Sequence, residues 1–242
     1  AGLGILRTLL ADEAVTHVTV LARRPFPSWV VLPGGTPAKS PKDSPMHPKL
    51  STSVLSSFHT YPSDVLKEHE ACIWALGKSQ RGMTEGDYTE MTVGFVDSFL
   101  EAAKEIGVGS KEKPFRFIFI SGRHADSAEK SSLLFARVKG KAENHLIKHA
   151  EQSNGAFETT ILRPGGFFPS RAYPADARNT RSTFERTLST ALGPLLPSSW
   201  VITVEQIGVF SLEAVKGTWN GTGKTVFENA EMKRMVDELG KR

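Results

Sequence analysis

Residues 115–143 read FRFIFISGRHADSAEKSSLLFARVKGKAE, and their order is that of a strand followed by a helix. Phe115-Arg-Phe-Ile-Phe-Ile120 is a short run of aromatic and β-branched residues, the composition that suits a pleated, buried surface. It delivers Ser121 and Gly122 at its tip, and a short polar loop follows. From Leu134 the pattern turns helical: Leu134, Val138 and Ala142 form an apolar stripe, while Phe135 and Lys139, four apart, share the neighbouring face.

The same alternation extends outward. Ala71-Cys-Ile-Trp-Ala-Leu76 is a short continuous apolar run, as expected of a central parallel strand buried on both faces. It opens into Gly77-Lys78-Ser79-Gln80. In an open α/β sheet, ligands sit outside the carboxyl ends of the strands. Leu76, Gly77 and Lys78 are therefore candidate cofactor contacts, Gly77 through close backbone approach and Lys78 through phosphate or ribose. A plain strand-to-loop turn is the competing reading for the side chains. Residues 89–106 carry the clearest helical stripe, in Val93, Val96, Leu100 and Ala103, and Gly107 and Gly109 end it. Phe157-Glu-Thr-Thr-Ile-Leu162 reads as another strand, running into Arg163-Pro164-Gly165.

Before this core, residues 1–10 read as a helix with an apolar stripe of Ile5, Leu6, Leu9 and Leu10. Residues 15–21 read as a β-branched strand ending in Ala22-Arg23-Arg24-Pro25, and residues 50–55 as the next strand. Where an NAD-type site places an acid on the ribose hydroxyl, guanidinium groups suit a 2′-phosphate. Arg23 and Arg24 thus point to NADP, against the plainer reading of a solvated basic turn. Residues 26–48, rich in proline, glycine and serine, read as a surface excursion within one domain rather than a linker. From Ser170 to Ser199 the pattern breaks. Arg171, Arg178, Arg181 and Arg186 lie around a helix expected near residues 182–192. Thr203-Val-Glu-Gln206 is a capping box opening a helix through Val215. A late strand over 222–227 and a final amphipathic helix from Asn229 close the chain.

Composition bounds the function. A chain of 242 residues with 39% hydrophobic content suits one α/β domain. Its net charge of +4 and isoelectric point near 9.2 admit anionic ligands. The basic residues do not cluster with aromatics, however, which argues against a nucleic-acid interface. No apolar run approaches the roughly 18 residues of a transmembrane span. The single cysteine, Cys72, excludes an internal disulfide and reads as an inert buried thiol in a reducing, cytoplasmic setting, peripheral attachment to an organelle surface being compatible with it. No Cys/His set has the spacing of a metal site.

Ala75-Leu76-Gly77, Ser121-Gly122, Val138-Lys139-Gly140 with Glu143, Leu162-Arg163-Pro164-Gly165 and Phe227-Glu-Asn229-Ala occur in an order and spacing that resemble the atypical short-chain dehydrogenases/reductases. The nearest resemblance is to the group related to the Tat-interacting-protein oxidoreductases, in a fungal form. It implies a Rossmann-like, doubly wound parallel sheet in a single domain over residues 1–242, binding NADP(H). Gly2 matches the third glycine of the dinucleotide loop, so the first strand and the two phosphate-facing glycines are expected to lie before Ala1. Pro164 and Gly165 match the turn beneath the nicotinamide, and residues 167–200 the segment covering a small-molecule substrate whose identity the residues do not fix. Ser121, Phe135 and Lys139 match the catalytic serine, tyrosine and lysine. At the tyrosine position a phenyl ring has no proton to give, and losing a general acid typically costs about 10²–10⁴-fold in rate. Three expectations follow: a reductase with altered proton delivery, a cofactor-binding regulator without turnover, or a chain that cannot hold cofactor because the glycine loop is absent. No feature fixes the oligomeric state.

Overall fold

In the computed structural model, which describes residues 1–180, 182 and 197–241, the chain has an α/β, Rossmann-like architecture of parallel strands, doubly wound and flanked by helices. Its residues group into two compact units.

One unit comprises Ser57–Pro164 and Glu213–Asn229. Its sheet contains β3 (Ala71–Trp74), β4 (Phe115–Ile120), β5 (Phe157–Arg163) and β8 (Val226–Glu228), in that spatial order and all parallel. β4 occupies the predicted positions and pairs on both sides, Phe117 opposite Cys72 and Thr159. Helices α2 (Ser63–Lys67), α3 (Glu85–Thr89), α4 (Phe95–Ile106) and α5 (Leu134–Gln152) belong to the same unit. The helix expected over 89–106 starts earlier, at Glu85, and passes through one π turn at Glu90–Gly94 before α4. Gly107 ends it in the left-handed conformation, as its sequence position predicts. Aromatic rings fill the core: Phe99 lies 5.1 Å from Phe117, and Trp74 5.7 Å from Phe117. Phe115 stacks on Phe157 at 5.8 Å. Such ring pairs add roughly 0.5–1.5 kcal/mol each beyond the area they bury. Cys72 lies against this core, and burial pushes its thiol up to about 12, the inert state that its apolar surroundings predict.

The other unit comprises Ala1–Ser56, Gly165–Leu212 and Ala230–Arg242. Helix α1 (Gly2–Ala11) leads into β1 (Val18–Ala22), which pairs in parallel with β2 (Leu50–Val54). A second parallel pair joins β6 (Gly166–Phe168) to β7 (Val201–Thr203). Between them lies α6 (Pro174–Thr180); the helix expected near 182–192 falls outside the described residues. Helix α7 (Val204–Lys216) starts here, and its capping box forms in both directions: Gln206 N–H donates to Thr203 Oγ1, and Thr203 N–H to Gln206 Oε1, each at 3.1 Å. Helix α8 (Asn229–Leu239) closes the chain.

Two features of this unit were not read from the sequence. Residues 26–48 do more than cover the surface: Val30 and Leu32 are buried with Leu6 and Leu10 of α1. And α1 packs closely at Gly4, where a Cβ would lie 2.8 Å from the Val204 carbonyl oxygen; Gly2 is exposed. Among the described residues, no helix is long and apolar enough to cross a membrane.

Candidate functional site

In the four-stranded unit, the carboxyl ends of β3, β4 and β5 carry Gly77, Ser121 and Pro164, and α5 brings Phe135 and Lys139 alongside. The loop between β4 and α5 is held close to the helix. The Asp126 amide donates to the Ala136 carbonyl at 2.8 Å, and a Cβ on Gly140 would overlap the Asp126 carbonyl oxygen. The Asp126 carboxylate in turn accepts the amides of Ser131 (2.6 Å), Lys130 (2.8 Å) and Ala128 (3.0 Å). Those amides, Ser131 first and Lys130 next, hold its carboxyl below the usual range. His124 and Glu129 take the left-handed conformation in this loop, at φ 68° and 57°.

Lys139, on α5, stands beside the ends of β3 and β4. Its Nζ is 3.4 Å from the Ile120 carbonyl oxygen and 4.9 Å from the centre of the Phe119 ring. A Cβ on Gly77 would lie 3.8 Å from the same nitrogen, and Gly77 is exposed. Burial lowers the Lys139 ammonium to about 8, with the charge of Glu143 one helical turn away opposing the shift.

Ser121 faces a different way from that expected of a group that orients a substrate oxygen. It is 8% exposed, and its hydroxyl donates to Glu143, whose side chain is fully buried. Arg163 closes the arrangement, with Nε 3.1 and 3.2 Å from the two Glu143 oxygens and a second nitrogen on the same carboxylate. The guanidinium also reaches Ser127 Oγ at 2.8 Å and Glu228 at 3.2 Å. Hydrogen bonding to Glu143, foremost, raises its pKa. An ionised carboxylate only accepts hydrogen bonds, so the serine proton is committed to it. Sequence reasoning noted Glu143 and Arg163 only as parts of a pattern. Their pairing carried no local signal, because the two residues lie twenty apart on different elements.

The remaining candidates are placed as follows. Phe135 is partly buried and packs against the aromatic core. Leu76 also packs there in part, whereas Lys78 is exposed. Pro164 is buried, and its carbonyl accepts the Arg123 amide at 2.8 Å. In the other unit, Arg23 and Arg24 directly follow β1; both are exposed, and neither guanidinium has a hydrogen-bond or ion-pair partner among the described residues. Gly165 precedes β6 there. Of the serine, aromatic and lysine trio, the structure brings all three to one region of α5 and the β4 tip. Among them, the serine has given its one proton to Glu143, and the lysine alone keeps donors to offer.

No family model and no curated relative matches the sequence. Solved structures share its fold. The NADP complex of Pseudomonas aeruginosa RhlG is 17% identical with a TM-score of 0.59, the match covering 96% of this chain and 91% of that one. The NAD complex of UDP-glucuronic acid 4-epimerase from Bacillus cereus is 16% identical with a TM-score of 0.59, covering 100% of this chain and 81% of the epimerase. Gox2253 is 15% identical with a TM-score of 0.57; the match takes in 88% of this chain but only 63% of that protein's length. At these identities the likeness is one of fold, and that fold is the Rossmann type on which NAD- and NADP-binding proteins, reductases and epimerases among them, are built.

Proposed function

We propose that the protein binds NADP(H) and is an oxidoreductase-type domain of the short-chain dehydrogenase/reductase kind, resembling its atypical, Tat-interacting-protein-related members. The observation that carries this reading is the meeting of an exposed glycine and a lysine ammonium at the carboxyl ends of adjacent parallel strands, Gly77 and Lys139. A glycine there admits the cofactor backbone closely, and the ammonium suits ribose hydroxyls. Hydride transfer is the chemistry that the nicotinamide supplies when bound. Arg23 and Arg24, exposed and with guanidinium forks unpaired among the described residues, support a 2′-phosphate over a bare ribose hydroxyl.

A second reading, a regulator that binds cofactor without turnover, is favoured by two observations. Phe135 offers no proton, and the Ser121 hydroxyl is already given to Glu143. One set of titrations separates the readings. NADPH should bind more tightly than NADH by fluorescence, Arg23→Asp should narrow that difference, and Lys139→Ala should weaken both. Absence of binding by either nucleotide defeats the proposal. Binding without loss of the reduced-nicotinamide absorbance across a panel of aldehydes and ketones selects the regulator.

A further inference from the structure

Lys139 is an ammonium whose natural counter-ion is spoken for. Glu143 lies one turn along α5, the spacing of a helical ion pair. Yet its carboxylate accepts Arg163 on both oxygens and the Ser121 hydroxyl as well. What remains for Lys139 is one long contact to the Ile120 carbonyl and the face of the Phe119 ring. On the other side stands Gly77, exposed and without a side chain. A half-buried amine with a weak hydrogen bond, no ion-pair partner among the described residues and an open approach is the setting in which lysine becomes a nucleophile.

We infer that Lys139 is a carbonyl-capturing amine, accessible past Gly77, that forms a reversible imine with small uncharged aldehydes. Burial, which brings the ammonium down to about 8, supplies neutral amine near physiological pH. The free amine attacks the carbonyl carbon, and the new N–C bond forms as the carbonyl π pair moves to oxygen. The amine proton passes to that oxygen to give a carbinolamine, and loss of water leaves the imine. The step consumes an aldehyde, releases water and needs no oxidant or reductant. It is a property of the cofactor-free chain and does not rest on the NADP reading.

The test is reductive trapping with benzaldehyde and cyanoborohydride near neutral pH, with labelled peptides quantified by mass spectrometry. Lys78, exposed on the same β3 turn, is the internal standard. Lys139 should label at least about tenfold faster than Lys78, because burial leaves more of the Lys139 amine neutral near physiological pH. Gly77→Ala places a methyl about 3.8 Å from Nζ. It should slow labelling of Lys139 several-fold and leave Lys78 unchanged. Equal or slower labelling of Lys139 in the unsubstituted protein overturns the inference. So does a Lys139 rate that Gly77→Ala leaves unaltered, since the approach would then not pass this glycine. Because the readout is covalent labelling, a failure to bind NADPH leaves the result intact.

Discussion

Glu143 is the residue on which the strand ends of the four-stranded unit converge. Fully buried, it binds Arg163 from β5 and Ser121 from the tip of β4, and Arg163 extends the contacts to Glu228 of β8. Removing one partner of a buried pair strands the other, at a cost of about 3–5 kcal/mol. Glu143→Ala should therefore lower unfolding stability in urea by that order. Glu143→Gln, which keeps shape and one acceptor oxygen, should lose less. A Glu143→Ala variant within about 1 kcal/mol of the parent, the value of an exposed pair, would show that the network contributes no more than a surface salt bridge. The same residue explains part of what the sequence conceals. A serine at a strand end and a lysine on the next helix are visible as a pattern, and both stand where that pattern puts them. The direction in which the serine hydroxyl points is decided by a carboxylate twenty-two residues away, and no spacing rule reports it.

At the scale of elements, Gly140 shows how a helix and a loop can share a space that has no room for a side chain. Alanine normally improves a helix over glycine by about 1 kcal/mol. Here a methyl would strike the Asp126 backbone carbonyl, which belongs to a loop tied at several further points. Overpacking of this kind costs about 1–3 kcal/mol. Gly140→Ala should accordingly destabilise the protein and shift the 121–131 loop, seen as changed amide chemical shifts at Asp126 and Ala128. Gly86→Ala in α3, where the nearest atom is Thr84 Oγ1 at 3.8 Å, should be neutral or mildly stabilising. Reversal of that order would refute the steric account. Elements with a strong period or cap, such as β4, the Thr203–Gln206 box and the Gly107 terminus, were legible in advance. The burial of Val30 and Leu32 was not, because a segment rich in proline and glycine hides two core residues that no period announces.

At the scale of the molecule, the parallel α/β class follows from the alternation of short apolar runs with amphipathic stretches, and strand order follows from chain order across β3, β4 and β5. The two compact units are each assembled from separated stretches of chain. One unit draws on three separated stretches of chain and the other on two, so their contacts join residues that no local window contains. Protection should follow the sheets. Amides of Phe117, Phe119 and Ile161, on β4 and β5 in the core, should exchange most slowly with solvent. Those of the three-residue pair β6 and β7 should exchange faster. Hydrogen exchange resolved by mass spectrometry checks this, and uniform protection across both sheets would contradict it.

The ties on the loop after β4 carry one more consequence. The Asp126 carboxylate accepts the amides of Ala128, Lys130 and Ser131, Arg137 holds the Ser131 carbonyl at 2.8 Å, and Asn144 holds the Ser127 carbonyl at 2.9 Å. A ligand arriving at the strand ends of this unit meets a rim already ordered. Association there has little conformational entropy to remove, which in a mobile loop amounts to about 0.5–1.5 kcal/mol for each side chain immobilised. Binding at this rim should be fast, and ungated by the loop.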